Sequence, residues 1–551
     1  MTFTGDAAHG LLHSQSGPNS FWSTTNVGEA IPGVVTPLGW SLWGSSVEMG
    51  IRDCYARTGA MSRREVRVPA NADDRLISVF FGRGALNVNF FCRMGGRLPG
   101  SAPDAIARQL LSEVPDGIPL GRSSKRLPVI AVKQPYVLAT VRRDLLRRTA
   151  PVEQWWRNWV SRFDTLDLAA AQHALRDARA QFAEMTRVQA AGLFIAVQPV
   201  YDRLLALIDK ANLDADLADA LVAGQGAHVE TDMIYDLWAL GRDELDLDAF
   251  LAKHGFHGPL EGEVSARVWR EDPSPVRRLA KQYGAMAEKD NPAAGTTARV
   301  AARQEAEREI IASLPSLQRP MARFVLKMAV ARIPLRGVAK AAFLQALDVA
   351  RGAARRIGMH LADRDVLAAP EDVFYFTVDE LVGDLPRDAA RIAAERRAQR
   401  EAFQAHSIPP HWRGNPVPIP ASAPTRAEGR VTIQGIGASG GVVEGKIRVV
   451  HDPAFTDVEP GEVIVCATTD PSWASVLFLS SALVVDVGGL LSHAAVVARE
   501  VGVPCVIGTG DGTKVFSTGD HVRVDGTAGT VELLSRAVPD LAGRGEAEGT
   551  A

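Results

Sequence analysis

The chain has 551 residues, 46% of them hydrophobic, and a formal net charge of −3. This length exceeds what one hydrophobic core supports, so two or three domains are expected. The near-neutral charge gives no case for a nucleic-acid surface, and no apolar run approaches the ~20 residues of a membrane span.

The cysteines and the N-terminal segment favour a cytoplasmic protein. Cys54, Cys92, Cys466 and Cys505 lack metal-ligand spacing and are expected to be buried thiols in a reducing compartment. Residues 1–19 are polar and glycine-bearing, without a basic-then-apolar signal pattern, and are predicted to form a flexible tail. We therefore expect no metal site, no nucleic-acid partner and no membrane contact.

Residues 20–403 are predicted to form one large, mostly helical domain. Residues 20–150 mix helical segments with short strand-like runs, such as 77–81 and 129–132. From 151 onwards Ala, Leu, Arg and Glu dominate, and apolar residues recur at helical spacing. These apolar stripes indicate core packing and nothing more specific.

A proline-rich segment, 404–430, is predicted to link this domain to a smaller one. Its six prolines are incompatible with a helix or a central strand, so a semi-extended linker is expected. Glycine- and valine-rich sequence follows over 431–537, and 538–551 is predicted to be a second flexible tail. The predicted fold class is therefore multidomain α+β, with a small β/β/α domain after the large helical one.

The small domain places a histidine at a strand-to-helix junction. An apolar run over 483–487 predicts a buried strand, and the glycine pair after it allows a tight turn. Ser492 is a good N-cap for a helix over 494–500, so His493 lies on the first turn. Unpaired N–H groups and the helix dipole favour a phosphate there, and imidazole is a nucleophile that can carry one. On spacing alone, a capping or packing role for this histidine is more common.

Residues 488–499 resemble the phosphohistidine signature of the phosphoenolpyruvate-utilising enzymes, which include pyruvate phosphate dikinase, phosphoenolpyruvate synthase and rifampin phosphotransferase. The similarity extends over roughly 431–535, notably through 435–446, 469–473 and 520–526. In that family the histidine shuttles phosphate between distant active sites on a swivelling domain. The resemblance therefore implies a swivelling phosphohistidine domain here.

The resemblance also implies which side chains and backbone groups serve the phosphate. His493 would carry it, and the residues expected to stabilise it are Gly488, Gly489, Ser492 and Arg499. Many relatives have threonine two residues before the histidine, where this chain has Leu491. A side-chain donor is therefore missing at that position, unless Ser492 supplies one.

Segments of the large domain resemble the acceptor-binding domain of rifampin phosphotransferase and the central part of phosphoenolpyruvate synthase-like proteins. They lie at 22–41, 255–261, 269–273, 336–340 and 371–375. The resemblance implies that this domain binds an acceptor whose hydroxyl receives the phosphate.

Two pairs of residues are candidates for that transfer. Arg336 and Lys340, four apart and hence on one helix face, could clamp the phosphate, although such a pair is usually solvated. His257 or Glu261 could accept the hydroxyl proton, although a loop histidine bonded to nearby backbone is equally common. Further polar pocket members, with capping as the alternative role, are Asn26 and Glu29.

The chain departs from the family pattern at Thr24, where relatives usually have arginine, and at Gly337, where they have glutamate. These departures imply a different acceptor or a site that has lost part of its chemistry. Neither an ATP-grasp domain nor a phosphoenolpyruvate-binding barrel is recognisable. ATP and Mg²⁺ are therefore expected to be bound by a separate ATP-grasp subunit, and phenylphosphate synthase is a similar split system.

The predicted function is the histidine-carrier and acceptor-binding component of an ATP-dependent phosphotransferase that phosphorylates a small organic hydroxyl compound. Two alternatives stay open. The chain could be a non-catalytic phosphohistidine-bearing regulatory or scaffold subunit, as the losses at Thr24 and Gly337 favour. It could also phosphorylate a hydroxyl in order to eliminate it, as a phosphorylation-driven dehydratase.

Overall fold

A computed structural model describes most of the chain and divides it into two compact units. The described residues are 10–24, 27–28, 30–111, 113–211, 215–222, 228–420, 431–450, 458–469, 473–489 and 492–537. One unit, here called the body, comprises 1–421 and 470–474, and the other, the carrier unit, comprises 422–469 and 475–551. The protein is thus multidomain α+β.

The first half of the body contains three strands and the first eight helices. They are β1 (Phe21–Ser23), α1 (Pro37–Thr58), β2 (Ile77–Phe80), β3 (Arg83–Asn87), α2 (Val88–Gly95), α3 (Pro103–Leu111), α4 (Leu127–Thr149), α5 (Val152–Val160), α6 (Leu168–Ala191), α7 (Gln198–Ala211) and α8 (Ala215–Val222). A π-helical turn, Gly192–Val197, joins α6 to α7.

The second half of the body is helical until its last three short strands. Its elements are α9 (His228–Leu240), α10 (Leu247–His254), α11 (Ser274–Ala285), α12 (Pro292–Ser313), α13 (Arg319–Arg332), α14 (Leu335–Ala362), α15 (Val378–Val382), α16 (Ala389–Gln404), β4 (His406–Ser407), β5 (His411–Arg413) and β6 (Ile419–Pro420).

Three helices, α1, α6 and α14, form the centre of the body. Trp43 of α1, Phe182 of α6 and Phe343 of α14 meet edge to face, with ring centroids 4.9–6.1 Å apart. Small residues let the helices approach closely: a Cβ at Gly50 would lie 3.2 Å from the Cα of Arg187 in α6. The Ala/Leu pattern noted in the sequence thus produces a tightly packed helical core.

The continuous helical stretch Leu168–Ala211, made of α6, the π-helical turn and α7, is long and apolar enough to cross a membrane by length and composition alone. Its most apolar window has a mean hydropathy of 1.4, and 44% of that window is buried inside the protein. The expectation that no apolar run approaches this length is therefore wrong. The core helix of a soluble protein passes the same test, and α6 packs in the core through residues such as Phe182.

The prediction that residues 1–19 form a flexible tail is wrong for residues 10–19, the part that the structure describes. Leu12 is 2% exposed and belongs to the main core, and its carbonyl accepts the N–H of Gly82 at 2.8 Å. The Ser16 hydroxyl donates to Asp73 at 2.7 Å. The polar composition that suggested a tail instead supplies hydrogen bonds that fasten this segment to the body.

Two further expectations about the body need correction. Residues 129–132 lie in α4 and not in a strand, because the β-branched run continues into a long helical pattern. The predicted linker 404–430 does not begin at 404: β5 pairs antiparallel with β1, Trp22 facing Trp412, in a sheet of order β2-β3-β1-β5. Residues 421–430 lie outside the described residues.

The part of the chain from 431 to 537, which includes the carrier unit and residues 470–474, contains mainly strands and three short helices in its described residues. The elements are β7 (Thr432–Gln434), β8 (Ile436–Ser439), β9 (Val442–Val449), β10 (Val463–Cys466), α17 (Ala474–Leu477), β11 (Ala482–Val485), α18 (His493–Val501), β12 (Cys505–Ile507), α19 (Gly512–Val515), β13 (His521–Asp525) and β14 (Thr530–Ser535).

These strands form one mixed sheet, in the order β7-β14-β13-β9-β10-β11-β12-β8. Strands β9 to β12 are parallel, while the outer pairs are antiparallel. All residues of β10, β11 and β12 are buried, which explains why they are continuous apolar runs. The central strands thus give a rigid base for the loop that follows β11.

The four cysteines are buried free thiols, as predicted. Burial raises the pKa of Cys54 and of Cys505 to about 12, and that of Cys92 to about 11. These three thiols therefore stay protonated and unreactive at neutral pH.

Candidate functional site

His493 is the first residue of α18 and lies at the end of the loop that follows β11. Ser492 is the N-cap, with extended backbone (φ −61°, ψ 161°), and its hydroxyl oxygen accepts the N–H of Ala495 at 3.3 Å. Gly502 ends the helix in the left-handed conformation, with φ 76°. The helix predicted over 494–500 is confirmed and begins one residue earlier, so the histidine itself occupies the first turn.

A threonine that the sequence analysis did not select holds the histidine ring. The Oγ1 of Thr469 lies 3.1 Å from the Nδ1 of His493, and both residues are 2% exposed. Thr469 belongs to 469–473, a segment quoted only for its resemblance to the family. It supplies a hydroxyl at the imidazole, where Leu491, outside the described residues, cannot.

Asp486 anchors the loop between β11 and α18. This carboxylate is 6% exposed and accepts hydrogen bonds from the hydroxyls of Thr509 and Thr513 at 2.8 and 2.5 Å. It also accepts the N–H of Thr513 at 3.1 Å. Because these bonds tie the loop to the one after β12, the start of α18 is held at the end of two adjacent strands.

Of the two glycines before Ser492, Gly488 is favoured by its small size and not by an unusual backbone conformation. Neither Gly488 nor Gly489 has a positive φ. A Cβ on Gly488 would lie 3.2 Å from the hydroxyl oxygen of Ser492, which is a tight contact, while a Cβ on Gly489 would meet no atom of the described residues within 4 Å. The carbonyl of Gly489 accepts the N–H of Ser492 at 2.7 Å, closing the turn.

Arg499 lies in the last turn of α18 and is 9% exposed. It is six residues from His493, which corresponds to about 9 Å along the axis and about 240° around it in an α-helix. Helix geometry therefore places the two side chains on different faces. The structure places Thr469 beside the histidine ring. Arg499 lies near Cys505, and its positive charge favours the ionised form of that thiol.

In the body, the structure brings His257 and Glu261 together. The Nδ1 of His257 lies 2.8 Å from Oε2 of Glu261, and the residues are 4% and 2% exposed. The loop is compact: Trp269 donates its N–H to the carbonyl of His257 at 2.8 Å. A carboxylate on Nδ1 orients the imidazole, which is the geometry of a general base supported by a second group.

A neighbouring histidine is buried in a different pair. His254, at the end of α10, lies 2.6 Å from Oδ2 of Asp236 on α9. Burial lowers the pKa of His254 to about 4, against the opposing effect of Asp236. His254 is therefore neutral at neutral pH.

Buried charges on α14 hold the loop that contains His257. Arg351, which is fully buried, donates to the carbonyls of Glu261 and Glu263 at 3.1 and 3.2 Å. The carboxylate of Asp348 accepts hydrogen bonds from Nε and Nη2 of Arg270, both at 2.8 Å. Burial opposes ionisation of Asp348, but Arg270 and the other partners outweigh it and hold the pKa of this carboxyl below its usual value.

Glu263 connects the same loop to α1. Its carboxylate accepts the N–H and the hydroxyl of Thr36 at 3.1 and 2.7 Å, and Thr36 is the N-cap of α1. The carboxylate therefore lies at a helix N-terminus, where negative charge is favourable. Sequence reasoning missed this residue, since its partner is more than 200 positions away.

Arg336 and Lys340 lie in the first two turns of α14, and both are half-buried. They share one face, as their spacing requires. The helix that presents them thus also carries Asp348 and Arg351, so the candidate clamp and the loop of His257 are attached to one rigid element.

Three further positions named from the sequence are Asn26, Glu29 and Thr24. Asn26 and Glu29 are outside the described residues. Thr24, where relatives have arginine, donates its N–H to the carbonyl of Pro410 at 2.8 Å. Within the described ranges, no group of three or more His, Cys, Asp or Glu side chains is arranged to hold a metal ion.

Two segments of the chain match known families. Residues 458–529 match the PEP-utilising enzyme mobile domain, and residues 244–337 match the rifampicin phosphotransferase fourth domain. The first match contains Thr469 and His493, and the second contains the His257–Glu261 pair. The resemblance inferred from the sequence is therefore confirmed over these two segments.

The alignments with similar sequences cover only part of this chain and part of each relative. An uncharacterised protein of Mycobacterium tuberculosis is 33% identical over 52% of this chain and 32% of its own. Rifampicin phosphotransferases are 38% identical in Streptomyces sviceus, over 32% of this chain and 20% of the relative, and 28% identical in Bacillus cereus, over 60% and 39%. The chain thus spans well under half the length of these relatives.

Proposed function

We propose that this chain is the histidine-carrier and acceptor-binding component of an ATP-dependent phosphotransferase. The observation that carries the proposal is the position of His493. It begins a helix after a buried parallel strand, with its ring held by Thr469, in a segment that matches the mobile domain of PEP-utilising enzymes. The relatives named rifampicin phosphotransferase support the reaction class.

In the first step, Nε2 of His493 attacks the donor phosphorus, an N–P bond forms, and the P–O bond to the leaving group of the donor breaks. Nε2 needs its lone pair for this attack, so Nδ1 must carry the ring proton. Thr469 at 3.1 Å can accept that proton in a hydrogen bond and so favour the reactive tautomer. The first turn of α18 contributes N–H groups and the positive end of the helix dipole.

In the second step, the acceptor hydroxyl attacks the phosphorus, the N–P bond breaks, and the hydroxyl proton passes to a base. The His257–Glu261 pair fits the role of base, since the carboxylate holds the imidazole from Nδ1. Arg336 and Lys340 would neutralise charge on the transferring phosphoryl group, Arg by a bidentate contact and Lys as a point charge. The acceptor is proposed to be a small organic hydroxyl compound.

ATP and Mg²⁺ are proposed to be bound by a separate ATP-grasp subunit, with both proteins in the cytoplasm. The cation would neutralise phosphate charge at the donor site. One histidine then has to serve two sites, which is the task of a swivelling domain.

The test is phosphorylation of the full chain with ATP, Mg²⁺ and an ATP-grasp protein from the same source. An acid-labile phosphate should appear by phosphorus NMR and be absent in His493→Asn. His521→Asn, a change on β13 of the same unit, is the matched control and should keep the label. Label retained in His493→Asn would refute the assignment.

The absence of the family's glutamate at Gly337 favours a second candidate, a phosphohistidine-bearing regulatory subunit. The same preparation separates the two functions. A phosphotransferase should lose its label to water-soluble hydroxyl compounds with formation of a phosphate ester. A regulatory subunit should keep the label until a protein partner removes it.

A further inference from the structure

Two helices of the body, α12 and α13, form an open cavity that none of the residues discussed so far lines. Its volume is about 500 Å³. This is within the ~300–1,000 Å³ typical of small-molecule sites. Arg303 and Glu307 enter it from α12, and Arg323 and Lys327 enter it from α13. The cavity is therefore large enough for a ligand and lined by charge.

Arg303 is the buried cation of this cavity. It is 8% exposed, and its Nη1 donates to Oε1 of Glu307 at 2.6 Å. Its Nε is shielded from solvent and makes no hydrogen bond to any part of the chain that the structure describes. The guanidinium therefore contributes its positive charge to the cavity, while its Nε lies inside the protein, out of reach of a ligand.

Two more cations face the same space without compensation. Arg323 and Lys327 are exposed and lie one turn apart on α13, whose sequence contains no acidic residue. Neither forms an ion pair with a residue in the described ranges. Three cations against the single carboxylate of Glu307 leave a local excess of two positive charges, which attracts an anion into a concave site.

Apart from Gln304, the rest of the lining is apolar. Leu326 is 3% exposed and Val330 is 40% exposed, and Ile311 completes this side. An anion with no apolar part would leave this surface in water, whereas an apolar group attached to it would cover the surface. The charge and the apolar wall therefore select the same kind of ligand.

We propose that the cavity between α12 and α13 binds an amphipathic organic anion, with a carboxylate, sulfonate or phosphate at Arg303, Arg323 and Lys327 and an aromatic or aliphatic group against Leu326 and Val330. The proposal is independent of the phosphotransferase function, because none of these residues belongs to that site. Three cations in an open cavity of this size also suit a small molecule and are too few for nucleic acid.

The probe for this site is 8-anilino-1-naphthalenesulfonate, an aromatic sulfonate whose fluorescence increases in apolar surroundings. Titration of the full chain should show one saturable site. The double variant Arg323→Ala/Lys327→Ala should weaken binding about tenfold or more, since it removes two charge-assisted contacts. Decanoate should compete with the probe, and decanol at the same concentration should compete much less.

A matched pair of substitutions separates the site from general surface charge. Arg277→Ala/Lys281→Ala removes an exposed Arg and Lys at the same spacing on α11 and should leave the dissociation constant unchanged. All three proteins should share one melting temperature, because the substituted side chains are exposed. Equal dissociation constants for the wild type and the α13 variant would overturn the proposal, and so would an equal loss in the α11 variant.

Discussion

The contact between Thr469 and His493 gives the sharpest prediction about the carrier unit. Thr469→Val keeps the shape of the side chain and removes the oxygen that lies 3.1 Å from Nδ1. Both residues are 2% exposed, so water cannot easily replace the lost partner. Removing the Thr469 acceptor from a buried N–H costs ~1–3 kcal/mol. This penalty falls on the tautomer that has a lone pair on Nε2.

The reactive tautomer of His493 should therefore become ~5–150-fold less populated, and the rate of phosphorylation should fall by a similar factor. Nitrogen–proton correlation NMR on histidine-labelled protein reports the tautomer directly, with the His493 signals identified by their loss in His493→Gln. Thr469→Ser should restore both the tautomer and the rate. An unchanged tautomer and rate in Thr469→Val would show that the hydroxyl does not control the ring.

The other predictions concern the body. Lys340→Ala should slow transfer from the charged carrier to the acceptor by ~10²-fold, with little effect on charging, as measured in separate single-turnover reactions. Asp348→Asn leaves the half-buried Arg270 and the fully buried Arg351 without their carboxylate and should lower the free energy of unfolding by ~3–5 kcal/mol in urea titrations. Asp379→Asn, in an exposed ion pair, should change it by less than ~1 kcal/mol in the same titrations. His254 is neutral in the folded protein down to about pH 4 but protonates near pH 6.5 in the unfolded chain. The free energy of unfolding should therefore fall by ~3 kcal/mol as the pH drops from 6.5 to 4. His254→Gln should remove that part of the pH dependence in denaturation experiments.

The carrier unit could be predicted closely from the sequence because its determinants are local. An apolar run, an N-cap serine and a terminating glycine define the strand, the start of α18 and its end within about 20 residues. The contact of Thr469 with His493 could not be derived in this way, since it spans 24 positions and depends on how neighbouring parallel strands end.

The body was predictable in composition but not in its connections. The four-residue spacing of His257 and Glu261 placed them on one loop, and their direct contact follows from that spacing. Nothing local indicates that Arg351, 90 positions further, holds the carbonyl of Glu261. Likewise, the polar composition of residues 10–19 resembles a tail, and only the partners at Asp73 and Gly82 make it part of the body.

The prolines around β5 have a consequence for self-association. β5 is an edge strand of the body's sheet, and a free edge can pair with another chain. Pro409 and Pro410 precede it, and Pro416 and Pro418 follow it, so the unpaired edge is only three residues long. Proline offers no N–H and resists extension of a strand. The residues that suggest a spacer thus also protect the open side of the sheet against aggregation.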